Sequence, residues 1–283
     1  MEKINLNYHT DYKMDEIVSK IKKDPLGKKI IKELSITDEE IERHYELLNN
    51  YISINKNCST CHNMNDCDHS SKGLKYQLKR DLENDLTDCF IVCNYFEGYY
   101  TRKKNLIYTT FDEKSLLDDK QKNFIFDNAL TLGNEFVMRI IQILKKERLP
   151  GAYLQVNNSK LRLKLIQSLS YNLLSQYKVA IVKFSDLLKD LKSEFKINNG
   201  PNTFKIVLES DILIMDGLGN ESITTWSRDE ILLSLLDNRI QNDKITILCS
   251  EFSLDDLKKI YKINYNDDVK VNQLIDKINE IKI

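Results

Sequence analysis

Five of the chain's six cysteines fall between positions 58 and 93. Cys58-Ser59-Thr60-Cys61 is a two-residue-spaced pair, the knuckle that offers two thiolates to one tetrahedral ion. Cys67 follows after five residues, His69 lies beside it, and Cys89 and Cys93 come later. A cytosolic compartment keeps thiols reduced, so such a cluster points to a structural zinc rather than to disulfides. Cys58, Cys61, Cys67 and Cys93 are the preferred four ligands, with His69 and Cys89 in reserve. A closed set of four leaves no position for water or substrate. A loop-rich segment of this kind buries little apolar surface, so the ion supplies much of its folding energy. The sixth thiol, Cys249, stands alone in an apolar stretch and reads as buried packing.

A second stretch, Tyr153-Leu-Gln-Val-Asn-Asn-Ser-Lys-Leu-Arg-Leu-Lys-Leu165, has the frame of a phosphate-binding strand, loop and helix but contains no glycine. A phosphate cradle needs G-x-x-x-x-G-K-[ST]: glycines let backbone N–H groups crowd the phosphates, the lysine neutralises charge, and the hydroxyl holds Mg²⁺. Aligned on the entering strand, Val156 takes the first glycine position and Leu161 the last. Asn157, Asn158 and Ser159 form a polar turn, Arg162 replaces the lysine, and Leu163 replaces the Ser/Thr. The branched side chains put carbon where phosphate oxygens would lie, and Leu163 cannot ligate a cation. Arg162 keeps a positive charge without the lysine's compact reach; it reads as a solvated helix residue or a phosphate-backbone contact. Asp216 closes an apolar strand, where a metal-associated carboxylate belongs, but the next position is Gly217 rather than a second acid. After the following strand stands Glu251, whose charge would repel a γ-phosphate. ATP and magnesium are therefore not expected as cofactors, and no catalytic residue is assigned.

The elements that must position these residues can be read from periodicity. Residues 11–54 read as helices broken at Asp24-Pro25-Leu26-Gly27, with Thr37 and Glu40 forming a capping box. The cysteine segment follows to about residue 96. Residues 98–119, polar and without a sustained period, read as a linker. One helix is expected from about 120 to 147. Strands Ala152–Val156, Val179–Phe184, Ile212–Asp216 and Ile245–Cys249 then alternate with helices at 160–177, 185–195, 224–240 and 253–261. Ser185 and Ser253 are read as N-caps, and a last amphipathic helix fills 268–282. The expected fold class is α+β overall. A helical zinc-binding domain (1–97) and a linker (98–119) precede an α/β domain (120–283) whose parallel sheet is covered by helices on both faces.

Composition sets outer limits. Hydrophobic residues make up 41% and charged residues 30% of 283, which suits a folded globular protein. The net charge of −1 hides an uneven spread: residues 1–97 carry 14 Lys+Arg against 18 Asp+Glu, and residues 98–150 carry 10 against 7. No part is a strongly basic nucleic-acid module, so contact with single-stranded DNA would be local or partner-supported. No apolar run approaches the roughly 18 residues of a membrane span, and the N-terminus lacks the apolar core of a secretory signal. A cytoplasmic protein with no membrane partner is expected.

The strings Cys58-x-x-Cys61-His62-Asn63-Met64-Asn65-Asp66-Cys67, Lys72-Gly73 and Cys93-Asn94-Tyr95 resemble the zinc-binding N-terminal domain of the DnaI-type primosomal helicase loaders. The second half is similar to the AAA+ domain of the DnaC/DnaI-type loaders. The matching stretches are Gly151-Ala-Tyr-Leu154, Ile212-Leu-Ile-Met-Asp216-Gly-Leu-Gly219-Asn-Glu221-Ser222, Thr225-Trp226-Ser-Arg228-Asp229-Glu230-Ile231, Asp255-Asp256-Leu257 and Lys270 through Ile278. The likeness runs collinearly through nearly the whole chain. It implies a P-loop NTPase-like domain, a zinc domain that engages the replicative helicase (a DnaB-type hexamer), and a role in DNA replication at the primosome. It further implies an AAA+ domain that binds ATP and single-stranded DNA; in a catalytically silent homologue that domain is a scaffold for helicase, DNA or self-association. Gln273 and Lys277 stand where that family carries arginines that reach the nucleotide. Trp226 is expected to pack at the start of its helix, with Arg228, Asp229 and Glu230 forming a charged helix face.

Three functions follow in descending order: a catalytically silent helicase loader, an active ATPase loader with an unusual loop, and a zinc-dependent regulatory adaptor without a helicase partner.

Overall fold

The computed structural model describes residues 11–59, 61, 64, 67–69, 71–147, 149–196, 202–263 and 268–282. Thr60, His62, Asn63, Asn65 and Asp66 of the cysteine segment lie outside the described residues. The chain divides into two compact units, Met1–Tyr99 and Tyr100–Ile283. Among the described residues no helix is long and apolar enough to cross a membrane.

The first unit opens with α1 (Asp11–Lys23), α2 (Pro25–Leu34), α3 (Asp38–Arg43) and α4 (Tyr45–Asn55). Asp24 separates α1 from α2 because its carboxylate accepts the Leu26 and Gly27 N–H groups, with Pro25 pre-set for the first helical position. The expected capping box forms: Glu40 N–H donates to Thr37 Oγ1 at 3.3 Å and Thr37 N–H to Glu40 Oε2 at 2.9 Å. Ile21, Ile30, Ile41 and Leu48 bury their helical faces against Tyr76 and Leu78. Those last two belong to a hairpin that the sequence reading missed: β1 (Leu74–Arg80) pairs antiparallel with β2 (Leu86–Val92). Its period-two signal is Tyr76 and Leu78 alternating with Lys75, Gln77 and Lys79, too short to stand out beside the cysteines. Helix α5 (Asn94–Asn105) follows.

The second unit begins inside what the sequence suggested was a linker. Residues 98–119 carry the end of α5, strand β3 (Leu106–Thr109) and helix α6 (Glu113–Leu117). Leu106, Tyr108 and Thr109 pair with Val179, Ala180 and Ile181, so this segment is an edge of the sheet. Four apolar or β-branched residues between charged runs are a strand too brief for periodicity to reveal. The single helix expected over 120–147 is instead a 3₁₀ turn (Asp119–Gln121) followed by α7 (Phe124–Asp127), α8 (Ala129–Leu132) and α9 (Asn134–Leu144). The breaks fall at Asn123, Asn128 and Gly133, residues that compete poorly for helix.

The alternation then runs close to expectation: β4 (Gly151–Gln155), α10 (Ser159–Leu173), β5 (Val179–Lys183), α11 (Phe184–Lys196), α12 (Asn202–Glu209), β6 (Ile212–Asp216), a π-helix (Trp226–Leu233) with α13 (Ser234–Gln241), β7 (Ile245–Ser250), α14 (Leu254–Ile260) and α15 (Asp268–Lys282). Helix α12 and the π-helical turns were not foreseen. Ser253 caps α14 as expected, accepting the Asp256 N–H at 3.1 Å, whereas Ser185 lies inside the first turn of α11.

All five strands are parallel, in the order β3-β5-β6-β7-β4. Every residue of β6 is buried, and neighbouring strand residues face opposite sides, so helices cover both faces as expected. Gly151 is required where β4 begins: an added Cβ would lie 1.8 Å from the Thr246 carbonyl oxygen of β7. Because β7 separates β4 from β6, the loop after β4 and the carboxylate ending β6 flank one cleft at the strands' C-terminal edge, where ligands of open α/β sheets bind.

Candidate functional site

Cys58, Cys61, Cys67 and Cys93, the four preferred ligands, line one cavity of the first unit together with His69. Cys58 sits in a 3₁₀ turn after α4, Cys67 is buried in the following loop, and Cys93 directly follows β2. The fold brings Cys93 to the others through Gly73, whose carbonyl accepts the Cys93 N–H at 2.9 Å. Gly73 holds φ +83°, and a Cβ there would meet the Phe96 ring at 2.1 Å, so a side chain would be both strained and clashing. Phe96 N–H donates to the Cys93 carbonyl at 3.0 Å and lies 3.3 Å from Cys93 Sγ. Cys58 Sγ and His69 Nε2 are 2.9 Å apart. Burial pushes the Cys58 thiol up, and the neighbouring Cys61, Cys67 and Cys93 add to the rise, while Lys75 opposes it.

Cys89 does not line the cavity; it stands opposite Gln77 in the hairpin. Among the described residues no three such side chains are already drawn to a common metal-holding point. Cys58, Cys61, Cys67, Cys93 and His69 are all soft donor types, and they line this one cavity. No disulfide joins any of the six cysteines. Cys249 is fully buried in β7, as expected, and burial raises its pKa far above a thiol's usual range.

The second cleft is lined by Ser159, Lys160, Arg162, Lys183, Asp216 and Asn220, among others. Its interior differs from the sequence reading at one residue: Arg162 is neither solvated nor outward-facing. It is buried, its Nε donates to Asp216 Oδ1 at 2.8 Å, and its Nη1 donates to the Val156 carbonyl at 2.8 Å. Burial raises the Asp216 pKa, and the Arg162 charge and hydrogen bond pull it back. Asn158 is the N-cap of α10, its Oδ1 accepting the N–H groups of Lys160 and Leu161 at 3.0 and 3.1 Å. The Arg162 N–H is taken by the Asn158 carbonyl and the Val156 N–H by the Ser250 carbonyl.

Four backbone donors of the loop that a phosphate cradle would aim at its ligand are thus already satisfied within the chain. The Asn-Ser start of α10 was a readable capping signal that the sequence reading did not use. Leu163 is partly exposed at the rim. Leu163 stands where a phosphate cradle carries the Ser/Thr hydroxyl for magnesium, and Arg162 where it carries the lysine.

Of the remaining nucleotide-site positions, Gly217 follows Asp216 and lines the same cleft. Gln273 is exposed on α15, and Lys277 binds Asp237 at 3.0 Å and Glu280 at 3.2 Å. Gly217, at φ +80°, turns the chain after β6. Glu251 lies just past β7, its carbonyl accepting from Gln155 at 3.3 Å. Trp226 packs edge-on to Phe195 of α11, ring centroids 6.4 Å apart, with Lys192 over its face. Arg228 is not on a charged face. It is fully buried, fork-bonded to Asp229 at 2.6 and 2.9 Å, and donates to the Tyr261 carbonyl at 2.8 Å.

No family model matches the chain. Along 94% of its length, and 88% of the relative's, the chain is similar to the replicative helicase loader DnaI of Bacillus subtilis, 21% identical over 277 residues. In structure it resembles the crystal structure of DnaI with a TM-score of 0.51 and 16% identity, over 62% of this chain and 94% of that one. The crystal structure of the DnaC helicase loader superposes with a TM-score of 0.42 and 21% identity, over 53% of this chain and 86% of that one. The second unit has the expected parallel five-stranded sheet in a mixed helix/strand fold, and the resemblance to DnaC/DnaI-type helicase loaders read from the sequence stands.

Proposed function

We propose that this chain is a helicase loader of DNA replication that binds a replicative helicase and helps place it on single-stranded DNA without hydrolysing ATP itself. The observation that carries the reading is the collinear similarity to the replicative helicase loader DnaI over 277 residues. On this reading the unit Met1–Tyr99 grips the helicase, with zinc held by Cys58, Cys61, Cys67 and Cys93 and His69 as the alternative fourth donor. Zinc would contribute shape, not chemistry: four protein ligands leave it no open position. The unit Tyr100–Ile283 serves as a docking platform for helicase, DNA or a second copy.

A silent site is supported by the Arg162–Asp216 pair and by the loop N–H groups already bonded inside the chain. Phosphoryl transfer needs a phosphate cradle, a metal, an oriented water and a further cation together. Here Val156, Leu161 and Leu163 take the places of the cradle and Gly217 that of the second acid. The test is co-purification of the full chain with the replicative helicase of its own host, with zinc measured on the same sample. A stoichiometric complex containing zinc is expected. A chain that leaves the helicase unbound while retaining zinc would favour the regulatory adaptor instead.

A further inference from the structure

The reading of the sheet unit as nucleotide-independent leaves open what replaces the nucleotide's charge. A carboxylate at the end of a buried strand is costly unless a cation reaches it. Asp216 is 8% exposed and closes a strand buried at every position. In a nucleotide-binding sheet a metal would meet such a carboxylate.

We infer that Arg162 is a resident counter-ion that substitutes for the magnesium nucleotide, closing the cleft from inside and fixing the loop after β4 against the end of β6. The inference rests on the proposed silence of this site, and it adds the device that maintains the silence. Arg162 is 7% exposed, and one guanidinium both meets Asp216 and ties back the Val156 carbonyl at the mouth of the loop. A lysine, with a single terminal nitrogen, lacks the planar fork that spans both acceptors. Asn158 completes the closure by consuming the Lys160 and Leu161 N–H groups from the outer side. The cleft's other cations, Lys160 and Lys183, lie around this pair.

The pair can be tested on the full chain alone, without helicase, by a double-mutant cycle read in thermal unfolding. Arg162→Met should lower Tm by roughly 10 °C, because it strands a buried carboxylate. Asp216→Asn should also lower Tm, by stranding the guanidinium. The double variant Arg162→Met/Asp216→Asn should be more stable than the worse single variant, since neither charge is then left alone. Millimolar Mg-ATP should leave the wild-type Tm unchanged. If the double variant is no more stable than the worse single one, or if Mg-ATP raises the wild-type Tm by several degrees, the inference falls. Because no helicase enters the measurement, its failure would leave the proposed loader role to be judged by co-purification alone.

Discussion

The two clefts of this chain hold opposite kinds of polar group. In the first unit Cys58, Cys61, Cys67, His69 and Cys93 line one cavity, and burial first, then the neighbouring thiols, push the Cys58 thiol up. In the second unit the cation and anion both belong to the chain and meet at 2.8 Å. Donor atoms of one sign gathered around a space solicit a ligand, whereas complementary atoms already in contact exclude one. On the proposed reading, the difference separates a site for a metal from a site that works without a nucleotide, although both are marked by recognisable spacing in the sequence.

The largest effect that could break the comparison lies at the thiols. Cys58→Ser or Cys61→Ser is expected to take zinc from about one per chain to background and to abolish helicase capture with it. Structural zinc supplies on the order of 10 kcal/mol to small metal-held segments, so the first unit should lose its cooperative unfolding. Cys89→Ser should retain both metal and partner, because Cys89 lies outside the cavity. Metal analysis of the purified variants decides this, and zinc retained in Cys58→Ser would move the site to other ligands.

A smaller effect sharpens the second half of the comparison. Arg239, like Arg162, is a fully buried guanidinium, but its partners are neutral: the carbonyls of Val207, Leu208, Ser210 and Ile245 and the hydroxyls of Ser210 and Thr246. Burial lowers its pKa to about 9. Its fork closes the C-terminal carbonyls of α12, a favourable place for a cation. Arg239→Met is expected to cost about 3–5 kcal/mol by leaving those carbonyls unsatisfied, measured by denaturant unfolding, with zinc content unchanged.

Arg162, Arg228 and Arg239 also show where sequence reading stops. Strands β4 to β7, the capping box at Thr37 and the last helix were legible because each is written in a local run of residues. That Cys58, Cys61 and Cys67 line one cavity follows from their closeness in sequence, whereas Cys93 arrives from 26 positions further on. The partners of the three arginines were not legible. Arg162 meets Asp216 across 54 positions and Arg239 meets Val207 across 32. Nothing in a single sequence distinguishes a guanidinium that turns inward from one that turns to water. Strand β3 and the hairpin escaped for a related reason: each is stabilised by pairing with a distant or neighbouring strand more than by its own four to seven residues.

A weaker effect concerns acid. Arg80 donates to Glu40 at 2.8 and 3.1 Å and holds its carboxyl down to about 2 from 4.5. A depressed carboxylate stabilises the fold above its unfolded pKa and loses that contribution as pH falls through its folded value. The first unit should therefore weaken between about pH 4.5 and about 2. The stability difference between the wild type and Glu40→Gln should narrow over the same interval. A difference independent of pH would remove the ion pair as its cause.

The smallest expected effect tests the second cleft most directly. Restoring the loop with Val156→Gly, Leu161→Gly, Arg162→Lys and Leu163→Thr would return the residue types of a phosphate cradle. It would not return turnover. Gly217 would still offer no carboxylate to orient water, and exposed Gln273 no positive charge to the transferred group. Asn158 would still cap α10 and consume the N–H groups at positions 160 and 161. Since these parts act together, repairing one set leaves the barrier near that of the uncatalysed reaction. Phosphate release from the repaired chain should match buffer. Release above buffer would show that Asp216, once freed of Arg162, can support hydrolysis by itself, and that the second cleft had been held shut rather than dismantled.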